Sequence, residues 1–370
     1  PVYRIVGGAW SGQGFGNLTF SGADNVLTDN GGLATFVQVG SPLANVINSG
    51  QYGQSGNIFV RNSNNFTGGM QIAKSNLVQI ETGAGPNGQT PLGTGFVEVY
   101  GTLQNSGIAS SFVNGATGLN SNNIVLRPGG TVVVYDVAGV SPPGANGRWS
   151  DSGTLDLNGG NFTFTGAGAA PSRETIGTLN ISKAGTVTVN RGSGPTYATL
   201  TIGSLVRSLP TTSGTFSLAN LAYAGAGVLQ LSTGTASNLG IPNTGTYTAW
   251  ERIALVGGLA GSGLSLGGNT NMGTGVVNGG IVAPWIIDTK DGNTFVGYNV
   301  ANGNFGGDTG FQPLVSYTAS PALGQIAFSS NSLATSTSSD TVDISGTQTI
   351  NSGINANAYA LRTSANITLA

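Results

Sequence analysis

Apolar residues along this chain recur at every second position over short stretches and then stop at Gly, Asn or Pro. That alternation marks strands with one buried face, and helical periodicity is nearly missing. It picks out Leu18/Phe20, Phe36 with Val37 and Val39, Ile58/Val60, Val78/Ile80 and Val97/Val99. Further on lie Ile124/Leu126, Val132/Val134, Leu155/Leu157, Phe162/Phe164 and Leu179/Ile181. Val187/Val189, Leu200/Ile202, Phe216/Leu218 and Leu229/Leu231 continue the series. Residues 62–103 show it most clearly. An Asn-rich turn ending in Thr67-Gly68-Gly69 leads into a strand at Met70–Ala73, followed by Leu77–Ile80, a Gly/Pro loop and Phe96–Tyr100.

The spacing of these strands predicts an architecture. Ile58, Val78 and Val97 lie 20 and 19 residues apart, and Leu155, Leu179 and Leu200 lie 24 and 21 apart. Coils of this size, each holding two or three short strands, suit a parallel β-helix in which equivalent residues stack at ~4.8 Å. The expected fold is therefore all-β: a parallel β-helix (β-solenoid) with glycine-rich corners, on the order of 17 rungs and ~80 Å long. A β-sandwich also has short alternating strands, but it favours tight Asn-Gly or Asp-Gly hairpins. Here Asn87-Gly88 and Asp291-Gly292 are isolated cases. Residues 1–370 read as one continuous solenoid, with a Ser/Thr-rich loop insertion at 329–341.

The corner NSNNFTGG and the later PLGTG resemble the autotransporter-associated β-strand repeat of large bacterial surface proteins. In that family an Asn-x-Phe/Tyr-Thr-Gly-Gly turn precedes one strand and a Leu-Gly-Thr-Gly corner the next. NIVLRPGGTVVVYDVA, GRWSDSGTLDLNGGNFTFTG, RETIGTLNISKAGTVTV and YATLTIGSLVRS are similar to the larger repeat unit of planctomycete-type members. GGIVAPWIIDTKDGNTFVGYN, FQPLVSYTA and NAYALRTSANITLA resemble the segment that closes one unit and begins the next. Together the matching blocks cover about residues 57–370, in order. The resemblance implies a β-solenoid passenger segment on the bacterial cell surface.

Composition narrows the function classes. Charged residues are 7% of the chain, against roughly 25% in typical domains, and Gly numbers 63 of 370. The apolar fraction of 38% supplies a core, so solubility rests on Asn, Ser, Thr and Gly. A net charge of −2 gives no field for nucleic acid or anionic lipid. Cys and His are absent, which removes thiol nucleophiles, disulfides, Cys/His zinc sites and histidine acid–base chemistry. No run reaches the ~18 apolar residues of a membrane helix, so no membrane insertion is expected within this segment. The opening PVYRIVGGAW lacks an initiator Met and an apolar leader, and LRTSANITLA stops inside an expected strand. Both suggest a longer parent chain.

Candidate chemistry is sparse. Gly263-Leu264-Ser265-Leu266-Gly267 fits a hydrolase elbow, but Ser265 has no histidine base. Gly12, Gly14 and Gly16 echo a phosphate loop without the helix it needs. Carboxylates remain: Asp24/Asp29, Asp151/Asp156, Asp288/Asp291 with Lys290, and Asp340/Asp343. A glycosidase needs two carboxyls ~5–9 Å apart across a cleft, whereas Asp is also a favoured turn residue. Asn302-Gly303-Asn304 and Gly306-Gly307-Asp308 resemble one fragment of a calcium-binding nonapeptide, so calcium is the one cofactor considered. Trp10, Trp149, Trp250 and Trp285 are either sugar-stacking platforms or, more often on β rods, packing groups. Glycosylation sequons begin at Asn17, Asn65, Asn161, Asn180 and Asn366.

No catalytic, cofactor-binding or metal-binding residue is therefore assigned, and the chain is expected not to be an enzyme. The expected role is a structural and adhesive extracellular fibre whose partner is itself or its parent chain, stacking end to end into a filament. Surface polysaccharide is a further expected partner, and nucleic acid is not. The alternatives are a carbohydrate-binding or polysaccharide-cleaving β-helix and a trimeric spike or tail-fibre-like receptor binder.

Overall fold

The computed structural model describes residues 1–5, 16–40, 56–81, 90–105, 122–136, 148–149, 151–167, 171–192, 197–207, 227–234, 239–240, 250–256, 272–273, 276–277, 281–283, 285–290, 293–299, 310–316 and 326–370. These form two compact units, Pro1–Leu229 and Gln230–Ala370. The described residues contain strands and no helix, and the fold is an all-β solenoid with long parallel sheets of short strands.

In the first unit the chain alternates between two sheets. It runs β1 (Val2–Ile5), β2 (Gly16–Phe20), β3 (Phe36–Val39), β4 (Gly56–Val60) and β5 (Met70–Ile72). β6 (Leu77–Ile80), β7 (Val97–Val99), β8 (Thr102–Asn105), β9 (Ile124–Leu126) and β10 (Thr131–Tyr135) follow. β11 (Thr154–Leu157), β12 (Asn161–Thr165), β13 (Ser172–Ile181), β14 (Gly185–Asn190) and β15 (Ala198–Arg207) complete it. Odd-numbered strands lie side by side in chain order in one sheet and even-numbered strands in the other. The pairings shown are parallel, so each turn of the coil contributes one strand to each sheet.

Register turns the alternating sequence into columns. Val37, Met70, Val97, Ile124, Leu155, Leu179 and Leu205 stack strand on strand in the first sheet. Ile58, Val78, Leu103, Val132, Phe162 and Val187 do the same in the second. All are buried, and each contributes roughly 1.5–3 kcal/mol. Asn105 interrupts a neighbouring column. Its buried amide donates to Tyr135 O (2.8 Å) and accepts from Tyr135 N (2.6 Å), satisfying both backbone groups.

The coil length differs from the sequence expectation. Ile58 to Val78 is a 20-residue step, as expected, but Leu18 to Ile58 takes 40 and Val37 to Met70 takes 33. Val97 stacks on Met70 rather than Val78, and Leu200 lies opposite Glu174 rather than Leu179. The physical reason is that alternation marks a buried face without saying which of two sheets owns it.

Corners hold successive turns together. Thr131 N donates to Gly101 O, Asn161 N to Gly130 O and Thr186 N to Gly160 O, forming a column of glycine corners. A Cβ at Gly130 would lie 1.9 Å from Val99 O, so only glycine fits there. The Asn-x-Phe-Thr-Gly-Gly turn is a clamp across three rungs. Asn64 is buried, accepts from Leu27 N below (3.0 Å) and donates to Pro91 O above (3.0 Å). Asn62 donates to Ala23 O, and Thr67 binds Asp29 through both N–H and hydroxyl.

The second unit opens within β16 (Leu229–Thr233) and continues β17 (Glu251–Leu255), β18 (Met272–Gly273), β19 (Val276–Val277) and β20 (Ile286–Asp288). β21 (Thr294–Asn299), β22 (Gly310–Val315), β23 (Ile326–Ala327) and β24 (Thr341–Ile344) come next. β25 (Gln348–Ile350), β26 (Ala360–Thr363) and β27 (Ile367–Leu369) end the chain. β20–β21 and β21–β22 are antiparallel, while β22–β23, β24–β26 and β25–β27 are parallel. Its core includes Ile281, Leu314, Ile326, Phe328 and Ala360. The last two turns step by 19 residues, Thr341 to Ala360 and Gln348 to Ile367. The Ser/Thr-rich 329–341 stretch folds on itself: Ser329 donates to Asp340, and Asp340 accepts from Thr337 N and Oγ1.

Candidate functional site

Three of the carboxylates nominated from sequence, Asp24, Asp29 and Asp340, accept from backbone N–H groups. Asp24 accepts from Ser63 N on the next turn (2.9 Å). Asp29 accepts from Thr35 N (2.8 Å), Thr67 N (2.9 Å) and Thr67 Oγ1 (2.8 Å), and these donors, Thr35 N first, hold its carboxyl below the usual range. Asp156 accepts from Ser182 Oγ at 2.5 Å across neighbouring strands, while Asp151 sits in a turn before β11. Partial burial raises the Asp151 pKa. Asp288 is buried at the end of β20, and Lys290 donates to Thr233 O (3.2 Å). Asp340 caps its own loop, whereas Asp343 pairs with Arg362, so these two do separate work. Asp291, Ser265, Gly12, Gly14, Asn302, Gly303, Asn304, Gly306, Gly307, Asp308 and Trp10 lie outside the described residues. Gly16 opens strand β2. Among the described residues no three His, Cys, Asp or Glu side chains gather as a metal-ligand set.

The tryptophans divide by burial. Trp149 is fully enclosed and meets Phe162 edge-on at 5.7 Å, so it packs the core. Trp250 lies under the Arg252 guanidinium at 5.4 Å, and Trp285 is half-buried. Sequon residues Asn17, Asn65, Asn161 and Asn366 are exposed, and Asn180 is half-buried.

One buried charged cluster was not read from the sequence. Glu174 points inward on β13, where its register partner is Leu200, and accepts from Arg148 N (2.7 Å) and Thr175 N (3.0 Å). Burial pushes its carboxyl up to about 8, and the nearby Asp151 adds to the rise while the N–H donors oppose it. Close by, the buried Arg148 guanidinium is 3.9 Å from Asp136. The signal was available: RETIG and TLTIG align at Ile176 and Ile202, which sets Glu174 against Leu200. The cluster is enclosed and offers no exposed acid.

The surface features that are exposed lie elsewhere. Of the twelve exposed large apolar side chains among the described residues, nine fall within residues 2–33 and 354–369. Val2, Tyr3, Leu18, Val26 and Leu33 belong to the first turn, and Leu33 is 65% exposed. Ile354, Tyr359, Leu361 and Leu369 belong to the last, where Leu369 is 80% exposed. Among the described residues β1 pairs on one side only, with β3, and β26 and β27 pair only with β24 and β25. Each outer edge therefore presents backbone N–H and C=O groups beside uncovered apolar residues, which is the chemistry of strand addition.

No protein-family model matches the chain, and neither a curated protein nor a solved structure shows significant similarity to it.

Proposed function

We propose that this chain is a segment of an extracellular, cell-surface β-solenoid fibre, structural and adhesive rather than catalytic, which lengthens by stacking one coil end on another. The observation that carries the reading is the parallel stacking of buried apolar columns, strand on strand, through successive turns of the coil. In a solenoid each turn is covered by its neighbours, so the first and last turns are covered by a further turn, supplied either by a second copy or by the parent chain. A head-to-tail contact between unlike ends does not close, so it generates filaments rather than rings. Low charge agrees with this, because few like charges oppose stacking. The resemblance of the Asn-Phe-Thr-Gly-Gly corner to bacterial surface repeats points the same way, as does the use of Asp24 and Asp29 to tie corners of successive turns.

Sedimentation velocity with negative-stain electron microscopy over a concentration series tests the proposal. Rods that lengthen with concentration are expected, and Leu361→Asp with Leu369→Asp should suppress them. Compact monomers at every concentration would overturn it. A discrete trimer mass would instead favour the spike-like alternative.

A further inference from the structure

The outward residues of the first sheet form two rows on one side of the coil. One row runs from Val2 through Phe36 and Gly69 to Phe96, fixed by register and by Met70 N donating to Phe96 O. Gly69 has φ +96°, and a Cβ there would meet the Phe96 ring at 3.2 Å. Its bare backbone lets the Phe36 and Phe96 rings lean together, with centroids 6.2 Å apart. Val2 is 52% exposed and Phe96 48%.

The second row lies two residues further along each strand, in continuous register: Arg4, Gln38, Gln71, Glu98, Val125 and Asp156. Its middle is tied together within the chain. Gln38 Nε2 donates to Gln71 Oε1 (3.3 Å), Gln71 Nε2 donates to Glu98 Oε2 (3.1 Å), and Arg127 pairs with Glu98. The two ends carry opposite charges. Arg4 is exposed, and the half-buried Asp156 accepts from Ser182 Oγ (2.5 Å) and adds to the field on Arg127 without pairing with it. Among the described residues neither Arg4 nor Asp156 is in an ion pair. Five strand spacings of ~4.8 Å set the two about 24 Å apart, too far to meet within one chain.

We propose that this face pairs laterally with the same face of a second copy, about a two-fold axis parallel to the strands. Such an axis keeps each row opposite itself and reverses the order of the strands. Passing midway between β5 and β7, it sets Arg4 of each copy against Asp156 of the other. Gln71 then faces Glu98 and Gln38 faces Val125, so no like charges of the row meet. The two phenylalanine pairs come together beside the axis, one strand apart, and cover each other's apolar edges. Charge selects this antiparallel arrangement, because with the coils parallel Arg4 would face Arg4 and Glu98 would face Glu98. The contact closes at two copies, unlike the open end-to-end contact, and goes beyond it. Two rows make a small footprint, so single chains pair weakly and chains linked in a fibre pair more strongly.

Sedimentation equilibrium of the whole chain tests it, with Leu361→Asp and Leu369→Asp present throughout so that end-to-end growth does not contribute. A monomer–dimer equilibrium is expected on raising the concentration to the millimolar range. Arg4→Asp and Asp156→Arg should each weaken it about tenfold, because symmetry makes each change act twice. An equimolar mixture of the two variants should regain the parent affinity to within about threefold, since the mixed dimer pairs opposite charges at both ends. Asp156 belongs to an inner strand, so its effect is separate from end stacking. Phe96→Asp should abolish the dimer, and Thr188→Ala, on the other sheet, should leave it unchanged. If circular dichroism shows Asp156→Arg unfolded, Arg4→Asp and Phe96→Asp decide, and both must lose the dimer. The proposal is overturned by monomers at every concentration, by association that Arg4→Asp leaves intact, or by a mixture no tighter than its components. Monomers retarded in a polysaccharide gel, with retardation lost in Phe96→Asp, would assign the face to a glycan and refute it as well.

Discussion

The two units solve the problem of a low-charge β protein in different ways. In Pro1–Leu229 one parallel step is repeated, and buried columns such as Val37–Met70–Val97–Ile124 bear the load. In Gln230–Ala370 the strands change direction at β20–β21–β22, and a polar knot ties the parts. Arg362 on β26 forks onto Asp343 of β24 (2.8 and 2.6 Å) and reaches Thr294 (3.2 Å) and Ser316 (3.1 Å). Its guanidinium also lies 4.5 Å from the Phe328 ring centre. Repetition lets each turn template the next, whereas a change of direction needs a specific side-chain connection.

The sharpest way to break the first arrangement is Gly130→Ala. With a Cβ only 1.9 Å from Val99 O, the corner must open, and a loss of about 3 kcal/mol or more is expected in a urea melt followed by circular dichroism. Retention of full stability would mean that the corner column does not set the register. Arg362→Ala attacks the second arrangement. Because Asp343 is nearly buried, about 2 kcal/mol should be lost. Hydrogen exchange should quicken in β24 and β26 and stay unchanged in β3–β15, and a uniform change would dissolve the distinction.

A smaller effect comes from Glu174. Its pKa is raised from 4.5 to about 8 in the folded chain, so the folded state holds a proton that the unfolded state releases earlier. The stability it contributes is fully present below 4.5 and is lost as pH rises through about 8. Thermal melts should therefore fall across that window, and Glu174→Gln should flatten the fall. A midpoint unchanged by pH, or an identical slope in the variant, would show that Glu174 carries none of it. The least effect is expected at Arg61→Ala. Arg61 reaches Glu81 at 2.5 Å but is 54% exposed, so a change below about 0.5 kcal/mol is expected in the same urea melt.

Much of the solenoid was legible because its grammar is local. The alternating pairs of the first unit that lie among the described residues fall on strands, and their apolar members mostly face inward, while Phe216/Leu218 lies outside the described residues. Where the reading failed, the missing information was long-range. Val97 was matched to Val78 by spacing alone, yet those residues belong to different sheets. Glu174 was not legible because it occupies an apolar position of a strand, where only the register with Leu200 and the approach of Arg148 N give it a role. The Phe36/Phe96 pair was invisible for a related reason: 60 positions separate the rings, and only Gly69 between them lets them meet.

The order of residues by itself determined strand content, the inward set, the glycine corners and the absence of thiol and imidazole chemistry. Each depends on a residue and its near neighbours, through a two-residue period or a side chain's own reactivity. The folded chain decided which strands pair, where the charged groups meet and which apolar residues stay uncovered. Those outcomes depend on coil lengths that vary from 19 to 40 residues, because the loops between strands change length while the ladder spacing does not.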